Sequence, residues 1–394
     1  MRRGNGEVKV LIVAGEESGD LYGAELIRRV REIYPGVIFY GIGGRRMRAA
    51  GLECLFPAEP LSVVGLPSLS QLRLLREAWQ SIREFLVDQP LRATVLIDFP
   101  GFNLRLARLC RRVGVPVFYY VAPQVWAWHR RRIKTLRRCV DLLAVVLPFE
   151  KEFFEKEGVR TVFVGHPLLD LLRPTLSRRL FCEIVGLSPH HPLLGIFPGS
   201  RPSEVQRLLP TFLETYRLLR RDHPHLQAVA VKAGGLPEDS LWEEARKEIR
   251  VLSGYQHEVL RHAEAALMAS GTITLEGALL GTPMVAAYRL SGWAFFLARL
   301  LVRVPYITLP NLILGERVVP EVLQDEVTPE RLAEEIRPFL FETRAREEVR
   351  HKLGRVRELL GGPGATRRVA ELLVDFLRAT SPPESPPPSA SATH

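Results

Sequence analysis

The feature that most constrains the fold is a repeating unit: a short apolar run, a turn of glycine, proline or acid, then an amphipathic stretch. "VKVLIVAG" (8–15) leads into "LYGAELIRRVREIY", "VIFYGIGG" (37–44) into "RRMRAAG", "ATVLIDFPG" (93–101) into "FNLRLARLCRRVG", and "PVFYYVAP" (116–123) into an arginine-rich segment. "DLLAVVLPF" (141–149) precedes "EKEFFEKEG", and "TVFVGHP" (161–167) follows. Apolar runs alternating with helical periodicity predict buried strands of a parallel α/β sheet. The pattern restarts after Pro174 with "LLGIFPGS" (193–200), "LQAVAVKAG" (226–234), "AALMASG" (265–271) and "PMVAAY" (283–288). The expected fold class is therefore α/β, with two Rossmann-like doubly wound parallel-sheet domains and a ligand cleft between them at the carboxyl ends of the strands. The expected domains are 1–168 and 169–350, then helices 351–378 that pack back on the first domain or on a partner. A Pro/Ser-rich tail, 379–394, reads as disordered and dispensable.

Two domains also suit 394 residues, with 46% apolar and 25% charged side chains. The net charge of +10 favours anionic partners: nucleic acid, nucleotide substrates, phosphorylated metabolites or an acidic lipid surface. Arginine dominates that charge, which suits bidentate phosphate contacts, although a GC-rich genome or a hot habitat gives the same bias. Cys54, Cys110, Cys139 and Cys182 are far apart, with no C-x-x-C pair or zinc spacing, and read as reduced thiols of a cytosolic protein. The apolar start breaks into "EESGD" too early for a signal peptide. No uncharged apolar run approaches the ~18 residues of a spanning helix, so membrane contact is expected to be peripheral.

Several turns carry chemistry. "VAGEESGD" (13–20) is a strand-to-helix turn bearing Glu16, Glu17, Ser18 and Asp20. Its negative charge argues against pyrophosphate and for sugar hydroxyls or proton transfer, with helix capping by Ser18 and Asp20 as the competing reading. "FPGSRPSEV" (197–205) has the opposite sign: Gly199, Ser200 and Arg201, followed by a helix opening at Pro202, bring N–H groups and a guanidinium to one spot. "ASGTITLEGALLGTP" (269–283) adds Ser270, Gly271 and Thr272, with Glu276 one helical turn on, placed to accept ribose hydroxyls. Asp98, in "LIDFPGFN", falls at the carboxyl end of a buried strand and is the candidate general base, with capping of a helix starting near Phe102 as the alternative.

The stretch "APQVWAWHRRRIKTLRR" (122–138) fits a nucleic-acid surface, a membrane anchor or the wall of a pocket for an anionic sugar or lipid. D-x-D, H-E-x-x-H, Walker and G-x-S-x-G motifs are missing, so no metal and no cofactor are expected, and positive side chains and helix ends take over leaving-group stabilisation. Recognition modules for nucleic acid are also missing, and no nucleic-acid partner is expected. The stripes Leu69, Leu72, Leu75, Trp79, Ile82, Phe85 and "WAFFLARLLVRVPY" (293–306), with Arg299 and Arg303, read as interfacial helices among acyl chains, against core or dimer packing.

Taken in order, "AGEESGD", "GIGG-RM", "IDFPGFN", "APQVWAW", "LPFE", "FVGHPLLD", "PGSRPSEV", "ASGTITLEGALLGTPMV" and "VPYITLPNLILGERVVPEVLQ" resemble the lipid-A-disaccharide synthase family from about Val8 to Leu377. That family comprises peripheral bacterial glycosyltransferases of the two-domain GT-B architecture. The resemblance implies metal-free, inverting transfer of 2,3-diacylglucosamine from its UDP conjugate to 2,3-diacylglucosamine 1-phosphate. It gives Asp98 the role of base on the acceptor's 6-hydroxyl and puts Arg201, Glu276 and Asn311 on the motifs that hold UDP. It also implies a cytoplasmic enzyme at the inner leaflet of the inner membrane, and leaves a homodimer open. With the acceptor in the first domain, Gln124, Trp126 and Trp128 become a wall on which a sugar ring stacks, and Arg130 or Arg131 meets the 1-phosphate. Gly101 stands where the family has an aspartate, Glu316-Arg317 reverses the usual order, and His129 replaces a frequent arginine. A polyprenol-linked transferase or a 2-epimerase using UDP-N-acetylglucosamine is the alternative within the same architecture.

Overall fold

A computed structural model describes residues 7–61, 69–127, 130–289 and 305–380. The chain divides into two compact units, 1–167 with 363–394, and 168–362. Each is a wholly parallel sheet flanked by helices.

The first unit's strands are β1 (Val8–Ala14), β2 (Val37–Gly43), β3 (Leu52–Pro57), β4 (Ala93–Ile97), β5 (Val117–Tyr120), β6 (Leu142–Val145) and β7 (Thr161–Phe163). Their order is β3-β2-β1-β4-β5-β6-β7. β1 is the centre, pairing Val13 with Ile42 on one side and with Leu96 on the other. Because helices cover both faces, every residue of β4, β5 and β6 is buried, which is why these strands read as unbroken apolar runs. The order reverses between β1 and β4, and in such sheets the crevice at the carboxyl ends of those two strands is where ligands bind.

The second unit repeats the plan with β8 (Leu193–Phe197), β9 (Gln227–Lys232), β10 (Arg250–Ser253), β11 (Ala265–Ala269), β12 (Met284–Tyr288) and β13 (Glu321–Leu323). The order β10-β9-β8-β11-β12-β13 puts its switch point between β8 and β11, where Phe197 faces Met268. Its core packs Phe212 and Tyr216 of helix Pro202–Asp222 and Trp242 against Leu194, Ile196 and Leu267. Truncating such a buried leucine to alanine costs about 2–5 kcal/mol.

The C-terminal region does not act as one piece. Helix Thr343–Leu359 belongs to the second unit, whereas helix Ala365–Ala379 belongs to the first. There Phe376 meets Phe118 with ring centroids 5.6 Å apart, and Arg368 Nε donates to the Val164 carbonyl at 2.8 Å. The sequence-based boundary at 350/351 thus falls inside helix Thr343–Leu359, and the change of unit comes at Gly362/Pro363.

The stripe on helix Leu69–Asp88 is largely core. Ile82 and Leu86 are buried, and Leu75, Trp79 and Phe85 pack against the first unit's core, leaving Leu72 and Val87 exposed. Residues 293–304 of the other amphipathic segment lie outside the described residues, as does the tail from 381. No helix among the described residues is long and apolar enough to cross a membrane. The four cysteines are free thiols.

Candidate active site

At the first switch point β1 ends in Gly15-Glu16 and β4 in Asp98-Phe99. Both Asp98 (φ 44°) and Phe99 (φ 48°) are left-handed, a strain non-glycine residues accept where the surroundings hold it. Here the hold is visible. Tyr119 Oη donates to the Asp98 carbonyl at 2.6 Å, and Asn103 Nδ2 donates to the same oxygen at 2.8 Å and to that of Ile97 at 3.1 Å. Phe99 lies so close to Gly15 that a Cβ there would collide with its ring. The kink ends β4 and starts helix Pro100–Val113 with Phe99, not Asp98, at its N-cap and no side-chain cap. Capping therefore does not explain Asp98.

The Asp98 carboxyl is pushed up to about 7, first by burial and then by the negative charge of Glu16, with the Phe99 N–H opposing. Glu16 is exposed and Ser18 half-buried. Asp20 is buried and accepts the Arg46 and Met47 N–H groups at 3.0 Å each, so it caps the next helix, Arg45–Ala49, and not its own. A Cβ on Gly101 would meet nothing within 4 Å, so the room for an aspartate there stands open.

After β5 the chain enters the tryptophan segment. Trp126 is half-buried, its Nε1 donating to Glu150 Oε1 at 3.1 Å and its ring standing edge-on to Phe149 at 5.0 Å. Gln124 and Arg131 are exposed. Arg130 pairs with Glu157 at 3.4 Å and lies 5.9 Å from the Phe153 ring centroid. Trp128 and His129 lie outside the described residues. Ile133 and Leu136 of helix Ile133–Cys139, and Val140 just beyond it, are buried in the first unit's core.

At the second switch point β8 ends in Gly199-Ser200-Arg201, and β11 in Ser270-Gly271. Gly199 has φ 120°, and a Cβ there would lie 2.6 Å from that of Glu204. Helix Pro202–Asp222 starts at Pro202, and Glu204 reaches back to accept the Ser200 N–H at 3.1 Å while pairing with Arg201 Nη1 at 3.1 Å. A carboxylate of the chain itself thus occupies this turn. Ser270 Oγ donates to the Ile307 carbonyl at 3.2 Å, and Thr272 opens helix Thr272–Leu280. Glu276 is 9% exposed, its Oε2 receiving Gln256 Nε2 at 3.1 Å with His257 Nε2 at 3.4 Å.

Asn311 is differently placed. Its Nδ2 donates to the Val319 carbonyl at 2.8 Å and to Glu321 Oε1 at 2.9 Å, while its Oδ1 accepts the N–H groups of Val318 and Val319 at 2.9 and 2.8 Å. Both donors and both lone pairs of the amide are occupied, so it ties helix Leu309–Leu314 to β13 and has nothing left for a ligand. Glu321 completes that tie, accepting the Ile307 and Thr308 N–H groups and the Thr308 hydroxyl.

Glu150, Glu204, Glu321, Gln256 and His257 escape the sequence reading. A signal for two of them exists: in "LPFE" and "RPSE" a proline at the first helical position precedes a glutamate at the third, which is where a carboxylate can reach back over the N-terminus. Among the described residues no group of three or more His, Cys, Asp or Glu could hold a metal ion.

Two doubly wound parallel sheets, each with its own switch point, define the two-domain GT-B-like class. Solved structures agree on that fold. The UDP-GlcNAc 2-epimerase from Neisseria meningitidis bound to UDP-GlcNAc aligns with TM-score 0.66 over 93% of this chain and 100% of that one, at 12% identity. The calicheamicin glycosyltransferase CalG4 aligns with TM-score 0.61 over 97% and 100%, at 18% identity.

Sequence narrows the class. The lipid-A-disaccharide synthetase family model matches residues 10–372. Lipid-A-disaccharide synthases from Trichlorobacter lovleyi and Geobacter sulfurreducens are 44% and 41% identical over 373 residues, covering 94% of this chain and 97% of each relative. The chain belongs to the lipid-A-disaccharide synthase family, and it is a hexosyltransferase.

Proposed function

We propose that the chain transfers 2,3-diacylglucosamine from its UDP conjugate to 2,3-diacylglucosamine 1-phosphate, releasing UDP and forming the β-1,6 disaccharide 1-phosphate with inversion. Family membership supports the reaction over a 2-epimerase or a polyprenol-linked transferase, and one observation carries the chemistry: Asp98, on a strained turn at a sheet switch point, with its carboxyl near 7. At that value the group is both ionised often enough at neutral pH and basic enough to take a proton.

In this mechanism Asp98 accepts the proton of the acceptor's 6-hydroxyl as the oxygen attacks the donor's anomeric carbon. The bond to the UDP oxygen breaks, and the negative charge that develops there falls to Arg201 and the N–H groups at Ser200 and at the start of helix Thr272–Leu280. The diphosphate takes Arg201 and the Ser200 N–H over from Glu204. Glu276, held by Gln256, presents its other oxygen to the ribose. Asn311 acts by positioning alone. Trp126 forms the sugar-stacking part of the acceptor half-site, with Gln124, Arg130 and Arg131 on the same segment. The acylated substrates, the net charge of +10 and exposed Leu72 and Val87 support peripheral association with the cytoplasmic leaflet of the inner membrane.

Asp98→Ala is expected to lower turnover by about 10²–10⁴-fold, the usual range for a general base, with UDP affinity retained. Near-normal turnover in that variant removes the base assignment.

A further inference from the structure

Glu150 is the most deeply buried carboxyl near the acceptor segment, 1% exposed at the third position of helix Pro148–Lys156. Both of its oxygens accept a hydrogen bond: Oε2 from the Leu147 N–H and Oε1 from the Trp126 indole, each at 3.1 Å. It therefore bridges two segments that leave neighbouring strands, the loop after β5 and the helix after β6. Among the described residues it forms no ion pair, while Arg130 close by is engaged by Glu157.

A buried carboxyl without a cation opposes folding, and an apolar side chain of that size would pack without the desolvation penalty. What an apolar residue cannot do is fix the indole. Phe149 meets the ring edge-on, and the directional Nε1 bond to Glu150 adds a fixed point at the polar end of the indole. Only a carboxylate serves both neighbours, because glutamine in its place would turn an NH2 donor toward one of the two N–H groups.

We infer that Glu150 is a positioning residue of the acceptor half-site, holding the Trp126 ring in the orientation on which the acceptor sugar stacks. The inference rests on the acceptor reading of Trp126. It places the specificity of that half-site partly on a residue that never touches the substrate.

A double-mutant cycle with steady-state kinetics tests it, using 2,3-diacylglucosamine 1-phosphate and its UDP conjugate as substrates. Glu150→Met, which keeps the length of the side chain but has no acceptor for the indole, and Trp126→Phe are each expected to raise the acceptor's KM about tenfold, the scale of one hydrogen bond to a charged group, with the donor's KM unchanged. The double variant is expected to be no worse than either single one, because both remove the same bond. Effects that multiply overturn the inference. So does a wild-type acceptor KM in both single variants alongside a raised one in Trp126→Ala. If Trp126→Ala itself leaves the acceptor's KM unchanged, the acceptor-wall reading falls, and the inference with it. Should Glu150→Met not fold, Trp126→Phe alone decides, since an unchanged acceptor KM on loss of the indole N–H contradicts the positioning role.

Discussion

At the scale of single residues, the proposed chemistry turns on Asp98, whose carboxyl burial and Glu16 hold near neutrality. The acid limb of the kcat/KM profile reports the free enzyme's base, so activity is expected to rise with pH and reach half its plateau near pH 7. Removing the neighbouring charge with Glu16→Gln lowers the Asp98 value and moves that limb down by roughly half a unit. A limb that stays in place under stopped assays from pH 5 to 9 separates Glu16 from the base. Asp98 itself is legible in the sequence, because an acid closing an apolar run falls at a strand's carboxyl end. Its left-handed backbone is not legible, since no propensity predicts an aspartate and a phenylalanine both at positive φ. Asn311 marks the opposite case. Its motif points to UDP, yet its amide is saturated by Val318, Val319 and Glu321, and only distances could reveal that.

At the scale of elements, the turn at Gly199 owes its shape to backbone that a side chain would spoil. Gly199→Ala places a Cβ against Glu204 at a φ that L-residues avoid. It is expected to destabilise the protein by about 1–2 kcal/mol and to weaken UDP binding about tenfold or more, read by calorimetric titration; unchanged UDP affinity would take this turn out of the donor site. The strands that the sequence misses, β3, β10 and β13, share one cause. All three are edge strands, short or half-exposed, as in the burial of "LECLFP" and "RVLS", so they never form a continuous apolar run. The central strands do, because helices cover them on both sides. Helix Leu69–Asp88 shows the limit of periodicity: its stripe is real, but spacing alone cannot tell a core from a membrane as the surface that receives it.

At the scale of the whole molecule, activity and stability pull against each other at Asp98. Its carboxyl rises from 3.8 to about 7 on folding, so between those values the folded chain holds a proton that the unfolded chain has lost. Its contribution to stability is therefore greatest below pH 4 and is lost as pH climbs through 7. Asp98→Asn, which keeps the shape of the protonated acid, is expected to stabilise the protein by about 1–3 kcal/mol at pH 8, after allowance for partial exposure, and hardly at all at pH 4. Thermal melts at the two pH values check this, and equal shifts at both would contradict the raised carboxyl. The two-sheet plan was legible from the restart of the strand–helix pattern after Pro174; for helices 351–378 the sequence left the first domain and a partner both open, because an amphipathic helix does not name the sheet it covers, and it gave no sign that helix Thr343–Leu359 stays with the second unit while helix Ala365–Ala379 belongs to the first. The reaction is tested most directly by supplying the enzyme with both acylated substrates together and following products by mass spectrometry. The account predicts a β-1,6-linked disaccharide 1-phosphate and one UDP per disaccharide, formed about 10²–10⁴-fold more slowly by Asp98→Ala; UDP release from unacylated UDP-N-acetylglucosamine without acceptor, with no disaccharide formed, would contradict it.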